Sequence, residues 1–515
     1  MRVGRRTLLR AALGAGALSA WPLAEGLGPR AAHAAAAALG ASWDAGPFTL
    51  GVASGDPLPA SVLLWTRLAP EPLADVQPLP DIVQVDWAVA TDAAMTAVVA
   101  SGSVAASALL GHSVHVVAGG LQPGRRYYYR FTALGKASRV GRTKTAPTGA
   151  VSLVRFASLN CQNYQSGEYP GMRDLAADNN LDFVVHLGDY VYEGSELGVA
   201  TSLNDYRKLH ALYKGDPLLR GLHAAHPFYL TWDDHEVVND YSGSRGAATF
   251  VARRAAAYQG WYEHMPLRLE GSDTALPDPQ IYRSRQWGDL LELVVLDVRQ
   301  YRSAQNLADG TILGTAQKAW LKQRISRRGT GWQCWINSIF LGQQRTQQGG
   351  FMFTDQWDGF RAERAEILGH VRGAGGPDFV TITGDWHSAF VQDITPDFDN
   401  PGAPVIGTEF VAHSATSSAY SPSWNATNGP ILGAANPHLQ YFEGNRYGHD
   451  LYEVTPHRWT TRMRVVADRG DPAATVSTLT SWHVDRGRAG AYEDPATQGS
   501  PAQYRRSDET VSPLV

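Results

Sequence analysis

Cysteine is nearly absent. The 515 residues hold two, Cys161 and Cys334, so a disulfide framework cannot be the basis of the fold. Lysine is scarce too, confined to Lys136, Lys144, Lys208, Lys214, Lys318 and Lys322, and the formal net charge is −4. A chain without basic excess has no electrostatic grip on a polyanion, so no dedicated nucleic-acid partner is expected. Charged residues make up 18% and hydrophobic residues 44%, which excludes a largely disordered chain. Past the N-terminus no stretch approaches about 18 uninterrupted apolar residues, so the mature form should carry no transmembrane segment. Familiar catalytic signatures are also missing. There is no Gly-x-Ser-x-Gly elbow and no phosphate-cradling loop ending in Lys-Ser or Lys-Thr. His235-Glu236-Val237-Val238-Asn239 has Asn where a zinc-protease helix needs its second His.

What is present begins with Arg2, Arg5 and Arg6, then an apolar run over 11–24 and the small-x-small triplet Ala32-His33-Ala34. A charged start, a short apolar core and a cleavage site make a signal peptide over 1–34. Its paired arginines before Thr7-Leu8-Leu9 resemble a twin-arginine export signal. That resemblance implies the twin-arginine export machinery as a partner and a periplasmic or secreted location. It also implies export in the folded state, with a metal already loaded around Cys161 before an oxidising compartment is met.

The length predicts more than one domain. Over 40–146 the pattern is short and strand-like. Val83, Val85, Trp87 and Val89 alternate onto one face, and the turn at Pro123-Gly124 precedes Tyr127-Tyr128-Tyr129-Arg130-Phe131. This resembles a fibronectin-like β-sandwich. After a Pro/Gly-containing linker the texture over 151–500 is that of an α/β domain with layered sheets. Strands are expected to end at Asn160-Cys161, Gly188-Asp189, Asp234-His235, Gln343-Gln344 and Asp385-x-His387, the last but one following an apolar run over 335–341. The strand ends of α/β sheets are where ligands bind. Residues 421–436, rich in Ser, Asn, Gly and Pro, read as a loop. Cys334 reads as a packed hydrophobe and His186 as a core histidine. His413 and His438 read as surface or supporting histidines. Trp232 and Trp386 flank acidic positions and are expected to wall the cleft.

Gly188-Asp189-x-x-Tyr192, Asp234-His235-Glu236 and Gly384-Asp385-x-His387 resemble the motifs of calcineurin-like metallophosphoesterases. Cys161 in the first motif, Asp234 for the usual Asn and Asp385 for the usual His make the pattern that of PhoD-type alkaline phosphatases. Gly51-Val52-Ala53-Ser54-Gly55-Asp56-Pro57, Trp232-Asp233-Asp234-His235-Glu236 and Leu296-Asp297-x-Arg299-Gln300-Tyr301-Arg302 are similar to that family as well. The implied architecture is an N-terminal sandwich followed by a layered αββα metallophosphoesterase domain.

The resemblance implies Fe(3+) with Ca(2+). Cys161, Asp189, Tyr192 and His387 would take the first ion, since thiolate, phenolate, carboxylate and imidazole suit a transition metal. Asp189 would bridge to a second, all-oxygen site with Asp234 and Asp385, which suits Ca(2+). Asn239, or acceptors around Asn160, would serve a further calcium. The implied reaction is hydrolysis of phosphate monoesters by a hydroxide or oxide on the metals, with His235 donating to the phosphate or leaving group. Arg299 has two readings: a bidentate phosphate binder or a buried partner of Asp297. The substrates would be small phosphate esters or phosphodiester polymers, and the enzyme a monomer. A phosphodiesterase or phospholipase D-type hydrolase with the same metals is the competing enzyme. A non-catalytic exported binding protein is the reading outside catalysis.

Overall fold

A computed structural model describes residues 46–269, 276, 278–327, 331–374, 378–418 and 420–506. The signal peptide over 1–34, and the sandwich boundary at 40, lie outside the described residues. No helix among them is long and apolar enough to cross a membrane.

Two sheets pack face to face. The first has ten strands. Val154–Leu159, Phe183–His186 and Pro227–Leu230 run parallel at its centre, and the antiparallel strands Gly448–Val454, Arg458–Val466 and Val476–Asp485 extend one side. The second has eight strands, with Leu291–Val295, Trp332–Ile336, Asp378–Thr383 and Gly407–Val411 parallel. The central strands are buried on both faces, as all-apolar parallel strands must be. Phe156, Phe183 and Trp459 from the first sheet meet Leu293, Ile336 and Ile382 from the second in one core. Cys334 lies in that core as a packing residue. Helices Leu203–Lys214 and Ala248–His264 cover the outer face of the first sheet, and Gly314–Ile325 and Arg361–Gly373 that of the second. The expected αββα layering is present.

The sandwich is present too, with a difference. One of its sheets is the far end of the ten-stranded sheet: Val52–Leu58 pairs parallel with Pro227–Leu230 and antiparallel with Ser61–Arg67, which pairs with Ser113–Gly119. The other is five-stranded, built on Ile82–Ala90, Val98–Ser107 and Arg126–Ala133. Val62, Leu64, Val85, Val89, Tyr127 and Tyr129 fill the space between them. A buried ion pair, Arg283 Nε to Asp56 Oδ1 at 2.7 Å, ties this end to the second sheet.

Two local expectations need correction. The apolar run over 335–341 is not the strand. The strand is Trp332–Ile336, and Ile339, Phe340 and Leu341 are buried in the loop after it. Residues 421–436 are not a loop but contain the helix Pro422–Ala435. Ser421 accepts the Trp424 N–H and Pro422 starts the first turn. Its glycines give close approach, since a Cβ on Gly433 would lie 1.9 Å from Tyr504 Cε2.

Candidate metal centre

Strand ends deliver the site. Val154–Leu159 leads to Cys161, Phe183–His186 to Asp189, Pro227–Leu230 to Asp233 and Asp234, and Asp378–Thr383 to Asp385 and His387. The turns leave ordinary backbone space. Cys161, Asp189, Asp385 and His387 all have φ between 50 and 67, and Asp240 has φ 55. Such strain persists only where the surroundings over-determine it. Gly188 has φ 111, and a Cβ there would lie 2.6 Å from Asp233 Cβ, so the approach of the two acidic turns requires glycine. Glu236 joins the same turns by accepting the backbone N–H groups of Asp189 (3.2 Å), Tyr190 (2.7 Å) and Asp233 (2.9 Å). Burial, opposed by these hydrogen bonds, pushes its carboxyl up to about 7.

The first group of donors gathers around one carboxylate oxygen. Cys161 Sγ is 3.3 Å and Tyr192 Oη 3.1 Å from Asp189 Oδ2, and Tyr192 Oη is 3.0 Å from His387 Nε2. His387 Nδ1 meets the Ser418 carbonyl at 2.8 Å. A carbonyl only accepts, so Nδ1 carries the proton and Nε2 presents a lone pair to the site. Ser417 Oγ, 2.7 Å from Tyr192 Oη, holds the phenol in place. Burial pushes the Cys161 thiol and the Tyr192 phenol well up, and the charge of Asp189 adds to both.

The second group shares Asp189. Its ligand atoms and those of Asp233, Asp234 and Asp385 lie within 4.8 Å of one another. Burial first, then neighbouring carboxylates, raise the Asp385 carboxyl well above its ordinary range. Burial also leads the rise at Asp189, where Asp234, Asp233 and Glu236 add to it and His235 opposes it. Asp234 goes the other way, because Arg299 and His235 outweigh burial. Asp189 Oδ1, Asp233 Oδ2, Asp234 Oδ1 and Asn160 Oδ1 are buried acceptors without a hydrogen-bond donor. Buried oxygens of this kind are costly unless a cation meets them. The donor set therefore fits metal ions: a mixed sulfur, phenol, imidazole and carboxylate group beside an all-oxygen one.

His235 stands over Tyr192, with ring centroids 4.1 Å apart, and its Nδ1 donates to Glu193 Oε2 at 2.6 Å. Burial lowers its pKa, but Asp234, Asp189 and Glu193 outweigh burial and raise it well above 6.5. Its Nε2 remains as the other ring donor. Glu193 escaped the sequence reading, although it directly follows Tyr192. Glu193→Gln should lower kcat by about 10- to 100-fold and move the alkaline limb of the pH–rate profile to lower pH. An unchanged profile would remove Glu193 as the positioning residue of His235.

Arg299 requires correction. Its side chain is fully buried. Nε pairs with Asp233 Oδ1 and Nη1 with Asp355 Oδ2, both at 2.5 Å, while Nη2 lies 3.8 Å from Asp234 and 3.9 Å from Asp385. The guanidinium fixes the acidic floor instead of clamping phosphate. Nor is it the side-chain partner of Asp297, which accepts the Arg299 backbone N–H at 3.1 Å. Gln343 and Gln344 do not join the site either, since their amides reach Asp399 and Gln392. The group just past that strand which reaches it is Ser338, 3.1 Å from Asp233. Trp232 is core, stacked on Tyr258 at 4.3 Å. His413 is not on the surface but buried, paired with Glu443 at 2.9 Å.

Asp189, Asp234, Asp385, His235 and His387 face a cavity of about 250 Å³, whose other walls include Asn239, Asp240, Met352, Phe353, Asp355, Trp386 and Tyr420. Asp234, Asp240 and Asp355 bring further ligand atoms within 4.8 Å of one another. The sequence reading did not find Asp240 or Asp355. Asn160 stays behind Cys161, its Nδ2 3.3 Å from Sγ.

These charges set a pH dependence for protein stripped of metal. A carboxyl whose folded pKa is raised holds its proton more tightly in the folded state. Its contribution is therefore best near the ordinary value of 3.8 and is lost as pH rises. His235, also raised, contributes fully below 6.5 and loses that contribution as pH rises through its folded value. Both slopes have one sign. Chelator-stripped protein should melt at a lower temperature at about pH 8 than at about pH 5, and Asp189→Asn should shrink the difference. A rise in melting temperature over that interval would contradict the charge assignment.

Two face-to-face sheets, helices outside them and clustered Asp, His and Cys side chains at their strand ends define a layered metallophosphoesterase fold. Within that class the chain belongs to the PhoD-like phosphatase family. The family profile matches residues 156–463, and that of the PhoD-like phosphatase N-terminal domain matches residues 32–147. Alkaline phosphatase D of Bacillus subtilis (strain 168) is 38% identical over 501 residues, covering 90% of this chain and 85% of that protein. A solved structure of PhoD superposes with a TM-score of 0.81 at 36% identity, covering 89% of this chain and 94% of that one. The protein is a phosphatase.

Proposed function

We propose that the protein is an exported, metal-dependent phosphomonoesterase working in the alkaline range, as the name of its Bacillus relative suggests. The observation carrying this reading is the pair of donor groups sharing Asp189 at the floor of one cavity. Cys161, Asp189, Tyr192 and His387 would hold Fe(3+). Asp189, Asp234 and Asp385 would hold Ca(2+), and Asp240 with Asp355 would serve a further calcium better than the buried Asn160. Bound there, the metals would supply Lewis-acid charge that polarises the ester and activates water.

The chain supplies the rest. His235 offers a proton at Nε2 to the phosphate or to the departing alcohol oxygen, and Glu193 keeps the ring charged and oriented. Arg299 holds Asp233 and Asp355, and Gln356 Nε2 holds Asp385. No lysine or arginine is among the described residues lining the cavity, so His235 is the cationic side chain offered to the phosphate, and bound metals would supply the remaining positive charge. The twin-arginine signal supports export to the periplasm or beyond, and the enzyme would act as a monomer.

The cavity exceeds what a phosphate group fills, which keeps a phosphodiester as the competing substrate. Comparing kcat/KM for p-nitrophenyl phosphate and its bis ester decides between them. The monoester should be favoured by roughly tenfold or more, about 1.4 kcal/mol in transition-state binding. Preference for the bis ester would replace this reading with a phosphodiesterase.

A further inference from the structure

One wall of the cavity is aromatic and serves no purpose in holding metals or protons. Trp386 sits between Asp385 and His387 yet turns into an apolar cluster, only 3% exposed. Phe353 meets it edge-to-face at 4.4 Å and Phe340 at 5.1 Å. Tyr420 faces the same cavity and is backed by Trp424, stacked at 4.0 Å and 19°. Three polar side chains beside this wall are already engaged, and the Trp386 Nε1–H is a buried donor without an acceptor. Gln305 Nε2 donates to Asp355 at 2.7 Å, Thr354 Oγ1 to Gln305 at 2.9 Å, and Gln356 to Asp385. A polyol leaving group would find few hydrogen-bond partners there, whereas a planar ring would find aromatic faces and edges held rigid by their neighbours.

We infer that the Phe353–Trp386–Tyr420 wall is a leaving-group subsite for a planar aromatic moiety, so that the preferred esters are nucleoside or aryl phosphates and not polyol phosphates. The inference rests on the phosphatase reading and adds its substrate class. Adenosine 5′-monophosphate and glycerol 3-phosphate both expel primary alcohols, so their kcat/KM ratio reports binding of the organic group more than intrinsic reactivity. The ratio should favour the nucleotide by roughly tenfold. It should fall by roughly tenfold in Phe353→Ala, in the range for loss of one base–aromatic stack, and fall in Phe353→Leu as well.

Adenosine alone should inhibit the wild-type enzyme competitively, a measurement that needs no variant to fold. Equal use of the two esters, or a ratio that Phe353→Ala leaves unchanged, would overturn the subsite. So would octyl phosphate outcompeting the nucleotide, or a ratio preserved in Phe353→Leu, because either would make the wall an alkyl pocket. Failure of the phosphatase reading looks different: neither ester would be hydrolysed.

Discussion

Asp189→Ala should lose at least about a thousandfold in kcat/KM and both bound metals, while the protein stays folded. Asp189 belongs to both donor groups. Its Oδ2 contacts Cys161 Sγ at 3.3 Å and Tyr192 Oη at 3.1 Å, and its ligand atoms lie within 4.8 Å of those of Asp233, Asp234 and Asp385. No other side chain joins the sulfur-containing group to the all-oxygen group in this way among the described residues. Folding should survive because Oδ1 has no donor and the nearby His235 keeps Asp234 and Glu193 as its other acidic neighbours. Removing it from metal-free protein relieves repulsion with its acidic neighbours. Arg299→Ala makes a useful contrast, since deleting a buried cation strands Asp233 and Asp355 and should cost about 3–5 kcal/mol of stability. Metal analysis, a thermal melt and steady-state kinetics on Asp189→Ala check each part. Normal turnover would remove Asp189 from the centre.

Cys161→Ala should abolish activity and iron binding together, by at least about a hundredfold in kcat. The thiol is buried, 1% exposed, and its backbone is held in the left-handed region at φ 50. Its N–H donates to the Gly188 carbonyl at 3.2 Å, which couples it to the turn carrying Asp189. Burial and the charges of Asp189 and Asp385 keep it protonated when no metal is present. A thiolate there requires a cation, and so iron binding should release a proton. Cys161→Ser would keep the shape and offer a harder ligand, so weaker iron retention is expected than in the wild type. A variant that kept its iron and full turnover would show Cys161 to be packing only.

Much of this was legible because the chemistry sits in short motifs at strand ends. An apolar run closing on Asp or on Cys can be read locally, which marked Cys161, Asp189, Asp234, Asp385 and His387, whereas Tyr192 came with the family resemblance; all six lie together in space. What escaped depends on contacts between distant segments. Asp240, Asp355 and Glu193 are single acidic residues in loops, and only the folded chain brings Asp355 to Arg299 at 2.5 Å. The two readings of Arg299 could not be separated locally, because its partner Asp233 lies in the turn after a distant strand. The misplaced strand has a plain cause: the apolar residues Ile339, Phe340 and Leu341 continue the pattern of Trp332–Ile336 but are buried in a loop. The helix Pro422–Ala435 was hidden by its small polar composition, which here serves a cap and a close approach to Tyr504. The sandwich could be seen from alternation and turns. Its fusion to the catalytic sheet through Val52–Leu58 and Pro227–Leu230 could not, since parallel pairing leaves no local trace.

The most direct test is metal analysis of the purified protein together with its visible spectrum and activity. Iron and calcium should be present together, with a violet absorption band from the Tyr192 phenolate on iron. Chelation should abolish activity, and calcium should restore it while the iron stays bound. Full turnover by protein that contains neither iron nor calcium would contradict the central claim.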